Sequence, residues 1–211
     1  MHSDNGQDMR THWDERYRSG QTPWDTGITP PEVQRFWGER TRPAAGGFAL
    51  DMGCGTGLNT LFLAKQGLCA IGFDLSGQAL QLALRRRNAT GRREMLNSGG
   101  DATFVQADVS RLPIGRLGAV YALDIGCLHS LPDELRPDYA AGVHCALTAG
   151  GYFHLYVFDR NSSEGPGAKG MREGEVAALF ANKLEIVTEE TGVSSTLASR
   201  PSRWFLLRKT S

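Results

Sequence analysis

Ten residues, LDMGCGTGLN at positions 50–59, constrain the fold more than any other stretch of the chain. An apolar run from Phe48 to Met52 gives way to glycine at every second position, Gly53, Gly55 and Gly57. A helical pattern then begins, with Leu58, Leu61 and Phe62 on one face. That order predicts a short buried strand, a glycine turn and a helix. Glycine lacks Cβ, so it adopts left-handed backbone angles freely and lets main chain approach a ligand closely. In an open parallel sheet, ligands bind beyond the carboxyl ends of strands, where such a turn sits.

The theme recurs along the chain. Residues 68–74 read as a second strand, with Ser76 capping a helix that buries Leu80, Ala83 and Leu84. Residues 102–108 and 117–124 read as further strands, and each of these three ends in aspartate. A helix over 133–147, a fifth strand over 151–159, a helix over 172–181 and two closely spaced strands over 183–190 and 202–209 follow. Apolar strands alternating with amphipathic helices imply an α/β fold. The prediction is a Rossmann-like, seven-stranded, mostly parallel sheet with helices on both faces, an antiparallel C-terminal edge hairpin and an N-terminal helical lid. No linker-like composition interrupts it, so one domain is expected over 1–211, with the lid and its helix in 1–45 and the core in 46–211.

The glycine spacing is G-x-G-x-G, and position 58 is Leu, unlike the G-x-G-x-x-G of a dinucleotide site. Asp51 beside the turn would repel a phosphate and suits a cationic amino-acid end. Asp74, at the end of the second strand, is placed to accept both hydroxyls of a ribose. Asp108, ending the third, is placed to receive an exocyclic amine such as that of adenine. Each acid alone reads better as a helix N-cap. Together they describe S-adenosylmethionine better than NAD.

These segments resemble the motifs of class I S-adenosylmethionine-dependent methyltransferases. LDMGCGTG is similar to their first motif, GFDLS to the second, QADV to the third, LDIGCLHSLP to the fourth and LTAGGYFHLYVF to the fifth. The resemblance implies that Asp51, Gly53, Gly55 and Gly57 hold the methionine part, Asp74 with Leu75 the ribose, and Asp108 with Val109 the adenine. Trp24 and Asp124 are expected to complete the cofactor set, with S-adenosylhomocysteine as the expected product. The N-terminal HWDERYRSGQTPWDTGITPPEVQRFW is similar to the lid of bacterial thiopurine and thiol or halide methyltransferase-like proteins, and FDRNSSEGPGAKGMREGEV to their loop after strand five. GPGAKG stands where that group often carries a bulkier apolar segment, which leaves the acceptor open.

Methyl transfer from a sulfonium is an in-line displacement, so alignment and water exclusion carry it, with the nucleophile held about 3 to 3.5 Å from the methyl carbon. Trp13, Tyr17, Trp24 and Phe36 are candidates for an apolar lid; packing is the simpler role for Phe36 and Trp37. Asp124, Cys127 and His129 follow strand four, beside the expected acceptor. A hydroxyl or amine acceptor would need a base, and His129 is the candidate, with Asp124 as the second catalytic residue. A thiolate or halide needs none, and His129 is then a satisfied rim or core histidine. Asp159 and Arg160 are expected in the same cleft, and His154 is expected to be structural.

Twenty-three basic and twenty-three acidic residues cancel, which argues against a nucleic-acid partner and for a small-molecule acceptor. The N-P-P-Y motif of enzymes acting on flipped bases is absent from the sequence. Arg85, Arg86 and Arg87 read as a solvated helix face. Cys54, Cys69, Cys127 and Cys145 form no C-x-x-C pair, so no metal site is expected, and buried free thiols in a reducing cytoplasm fit them. No apolar run approaches the roughly 18 residues of a membrane span. A cytoplasmic monomer or homodimer is expected. A noncatalytic S-adenosylmethionine-binding module and, less well, a NAD-dependent oxidoreductase are the rival readings.

Overall fold

The computed structural model describes residues 3–39, 43–90, 97–160, 169–193 and 200–210. Seven strands form one sheet in the order β3-β2-β1-β4-β5-β7-β6. β1 (Phe48–Met52), β2 (Cys69–Asp74) and β3 (Asp101–Gln106) pair in parallel, as do β4 (Ala119–Ile125) and β5 (Leu147–Phe158). β7 (Pro201–Arg208) runs antiparallel to both β5 and β6 (Glu185–Val193). The expected mostly parallel sheet with an antiparallel edge pair is therefore present. The chain divides into two compact units, Met1–Val109 and Ser110–Ser211.

The first unit carries α1 (Ser3–Arg18), α2 (Pro31–Gly38), α3 (Leu58–Lys65) and α4 (Gly77–Thr90) around β1 to β3. Ala49, Leu50 and Met52 are wholly buried, as a strand covered on both faces requires. On α3 the buried residues are Thr60, Leu61, Leu63 and Ala64, and Leu58 and Phe62 are half-buried. The segment is apolar nearly all round, so periodicity could not choose its face; Thr60 turns inward because its hydroxyl donates to Asp51 Oδ2 at 2.6 Å. On α4, Ala79, Leu80 and Ala83 are buried, but Leu84 is exposed. Small alanines let this helix pack closely, and the bulkier Leu84 falls outside the contact. Ser76 caps α4 as expected, its Oγ accepting the Ala79 amide at 3.1 Å.

The second unit holds β4 to β7 with α5 (Arg136–Ala146) and the short α6 (Glu175–Phe180). The expected helix over 133–147 begins instead as a 3-10 turn, Asp133–Leu135, and becomes α-helical at Arg136, with Pro137 in its first turn. β5 starts at Leu147, earlier than expected, because Gly150 takes a left-handed φ of 78° and lets the strand pass through its Ala-Gly-Gly stretch. His154 is structural as expected: its Nδ1 lies 3.0 Å from the Tyr121 hydroxyl and its ring packs on Trp204. All four cysteines are free, yet only Cys54 is buried; Cys69 and Cys127 are half-buried and Cys145 is exposed. Among the described residues, no helix is long and apolar enough to cross a membrane.

Candidate active site

Gly53, Gly55 and Gly57 all have left-handed backbone, with φ of 69°, 54° and 77°. At Gly57 a second restriction applies. A Cβ there would lie 2.7 Å from the Phe104 ring and 2.8 Å from Ala83, so only hydrogen fits between β3 and α4. The turn is fastened to β2 by the Cys54 amide on the Phe73 carbonyl at 2.9 Å. Asp74 adds two bonds, accepting the Gly55 amide at Oδ2 and the Ser76 amide at Oδ1, both at 2.8 Å.

Burial pushes the Asp74 carboxyl up to about 6, opposed by those two amides and assisted by the nearby charge of Asp14. Asp51, two residues before Gly53, is 2% exposed. Two carboxylates flanking a glycine turn suit an ammonium and ribose hydroxyls, and they disfavour a phosphate. The structure thus brings Asp51, the three glycines and Asp74 together. Leu75 follows directly, its carbonyl accepting Gln106 Nε2 at 3.0 Å. Asp108 is half-buried and Val109 is buried just beyond the end of β3.

Residues of the N-terminal segment are bonded to this turn, among them Asp14 and Asp25, which sequence patterning does not single out. Asp14 Oδ1 on α1 accepts the Ser76 hydroxyl at 2.5 Å and the Gln78 amide at 3.2 Å. The Tyr17 hydroxyl lies 2.8 Å from where a Gly55 Cβ would be, and it accepts Trp24 Nε1 at 3.2 Å. Trp13 meets Trp24 edge-on at 5.6 Å, and the Arg16 guanidinium lies 4.9 Å over the Trp24 ring. Asp25, beside Trp24, accepts the Thr56 hydroxyl at 2.9 Å and faces Arg86 at 3.4 Å. Arg86 also donates to Thr56 Oγ1. Arg86 is therefore not part of a solvated face; Arg87 likewise reaches the Ala102 carbonyl at 2.9 Å. Phe36 and Trp37 are buried packing residues, as expected.

In the second unit, Asp124 is wholly buried and both its oxygens are engaged. Oδ1 accepts the Cys127 amide at 2.7 Å; Oδ2 accepts the Leu128 amide at 2.9 Å and the Tyr139 hydroxyl at 2.5 Å. Burial pushes this carboxyl up to about 6 against those bonds. His129 is 2% exposed, and its Nδ1 accepts the Phe158 amide at 3.0 Å. Burial, with the charges of Arg200 and Arg136, lowers its pKa to about 3. A neutral imidazole whose Nδ1 accepts carries its proton on Nε2. In this geometry His129 is a hydrogen-bond donor, which does not suit the general base expected of a hydroxyl or amine acceptor.

Asp159 pairs with Arg203 at 2.7 Å and Arg160 with Asp133 at 2.6 Å, so each has an ionic partner within this unit. Most of the GPGAKG departure, residues 165–168, lies outside the described residues together with 161–164.

A left-handed glycine turn closing β1, acids at successive strand ends and a seven-stranded sheet with an antiparallel edge define an S-adenosylmethionine-dependent methyltransferase of the Rossmann-like class. The chain belongs to the thiopurine S-methyltransferase family, whose model matches residues 9–204. It is 30% identical over 183 residues to a thiopurine S-methyltransferase of Bordetella petrii, covering 83% of each chain. It is 31% identical over 144 residues to a 2-heptyl-1-hydroxyquinolin-4(1H)-one methyltransferase of Mycobacteroides abscessus, covering 67% of this chain and 58% of that protein. Among solved structures, it resembles a Burkholderia thailandensis 1,6-didemethyltoxoflavin-N1-methyltransferase bound to S-adenosylhomocysteine. That likeness has a TM-score of 0.71 and 26% identity, over 96% of this chain and 88% of the other. The cofactor is S-adenosylmethionine, and the acceptor is a small molecule.

Proposed function

We propose that this protein methylates a soft sulfur nucleophile, a thiol or thione of a small molecule, without a side-chain base. One observation carries the reading: the Phe158 amide occupies Nδ1 of His129, leaving the ring a donor at Nε2. A hydroxyl or amine of ordinary acidity needs a proton acceptor there, whereas a thiolate brings its own electron pair. Bound S-adenosylmethionine supplies a methyl group on a sulfonium, whose charge vanishes on transfer.

Around it, Asp51 with Gly53, Gly55 and Gly57 hold the methionine end, Asp74 and Leu75 the ribose, and Asp108 and Val109 the adenine. Trp24 closes the lid and excludes water. Asp124 orders the turn that carries His129, and His129 orients the acceptor with its Nε2 proton. The chain acts as a single domain, in the cytoplasm, as a monomer or homodimer, and its balanced charge supports a small acceptor in preference to nucleic acid. A second reading, an acidic N-hydroxyl as acceptor, is favoured by the hydroxyquinolinone named for the relative from Mycobacteroides abscessus. Such a group also ionises without a strong base.

The test is S-adenosylhomocysteine release across pH with a thiopurine, hydrosulfide, iodide, a 1-hydroxyquinolin-4-one, a catechol and a small amine. Turnover with the sulfur acceptors, rising only with each acceptor's own ionisation, is expected. Turnover confined to catechol or amine, with an inflection near pH 6.5 that His129→Gln removes, would overturn the proposal.

A further inference from the structure

Arg136 opens α5 and, at 1% exposure, is the largest fully buried side chain among the described residues. Its guanidinium is satisfied from two directions. Nη1 donates to Glu175 Oε1 at 2.6 Å, and Nη2 donates to the Gly170 carbonyl at 3.2 Å. Nε donates to the Leu131 carbonyl at 3.2 Å, while Nη2 also reaches the His129 carbonyl at 3.5 Å and Asp133 Oδ1 at 3.3 Å. His129, Leu131 and Asp133 lie on the segment leaving β4; Gly170 and Glu175 lie on the segment that follows β5. One side chain joins the two.

His129 is the node of this arrangement. Its carbonyl also accepts the Gly170 amide at 3.2 Å, and its ring is held by the Phe158 amide at the end of β5. Glu175 is fixed in turn, its Oε2 accepting the Arg172 amide at 2.8 Å. A planar guanidinium can hold a carboxylate and several carbonyls at once, whereas an ammonium is a point charge with three donors.

We propose that Arg136 is a positioning residue for methyl transfer: it locks the segments that leave β4 and β5 together and so sets the placement of His129 at the acceptor end. The inference rests on the reading that the acceptor sits beyond these strand ends. The partners of Arg136 named above all belong to these two segments, so its role is to position and not to react.

The experiment compares Arg136→Lys and Arg136→Ala with the wild type in three readouts. Affinity for S-adenosylhomocysteine should stay within about twofold, while kcat/KM for the acceptor falls at least about tenfold, a loss of about 1.4 kcal/mol. Millimolar guanidinium should restore part of the Arg136→Ala loss and none of the Arg136→Lys loss. The 15N spectrum of the His129 imidazole should shift in Arg136→Lys. Should Arg136→Ala fail to fold, Arg136→Lys and Glu175→Gln carry the test with the same expected split.

Acceptor kcat/KM within twofold of wild type in Arg136→Lys, or cofactor affinity lost in step with turnover, overturns the proposal. A wild type that turns over no acceptor refutes the functional reading instead. In that case the imidazole spectrum still decides: unchanged in Arg136→Lys, it overturns the positioning role, and shifted, it supports it.

Discussion

Asp25 and Arg86 lie 61 residues apart in sequence and meet at 3.4 Å, with the Thr56 hydroxyl bonded to both. The Pro-Trp-Asp turn of the N-terminal segment is thereby tied to the glycine turn at the residue between Gly55 and Gly57. The ion pair is part-exposed, so its contribution is about 1 kcal/mol.

Arg86→Ala should lower Tm by about 2 to 4 °C, as expected for a loss of about 1 kcal/mol in a chain of this size. S-adenosylhomocysteine should leave about fivefold faster, since about 1 kcal/mol corresponds to that factor. Stopped-flow fluorescence of the lid tryptophans, Trp13 and Trp24, reads the rate directly. Release at the wild-type rate would show that this contact does not hold the lid.

Asp74 should impose a pH dependence on cofactor binding. Its carboxyl titrates near 6 because of burial, and on the proposed assignment its ionised form accepts the ribose hydroxyls. Affinity for S-adenosylhomocysteine should rise as pH increases through about 6, and Asp74→Asn should flatten that dependence while weakening binding roughly tenfold or more. Stability of the free protein should move the opposite way. Folding raises this pKa above 3.8, so the stabilising effect is complete at low pH and is lost as pH climbs through about 6. Calorimetric titration and thermal melts over pH 4 to 8 separate the two.

Gly57→Ala should be severely destabilising. A left-handed alanine costs about 1 to 2 kcal/mol, and forcing a methyl against Phe104 and Ala83 adds about 1 to 3 kcal/mol. Urea denaturation should therefore show a loss of roughly 2 to 5 kcal/mol. A loss under 1 kcal/mol would mean that Phe104 moves aside freely.

The strands and the glycine turn are legible because both rest on strong local rules. Phe48–Met52 is an unbroken apolar run, and three alternating glycines have few other uses. Leu84 lies exposed where a buried position is expected, because burial along a helix face is decided by what the helix packs against. Arg86 and Arg136 were invisible for a different reason. An arginine within a run of arginines, or before a proline, looks like any solvated cation until tertiary structure supplies Asp25 or Glu175. For His129, sequence placed the residue, but only the Phe158 amide decides which nitrogen holds the proton.

The order of the last two strands bears on how the chain is made. β6 pairs only with β7 among the described residues, and β7 follows it in sequence. As the polypeptide emerges from the ribosome, β6 therefore waits with both edges bare, when another nascent chain could capture it. Glu185, Glu189 and Glu190 along that strand give identical copies a reason to repel each other during the wait.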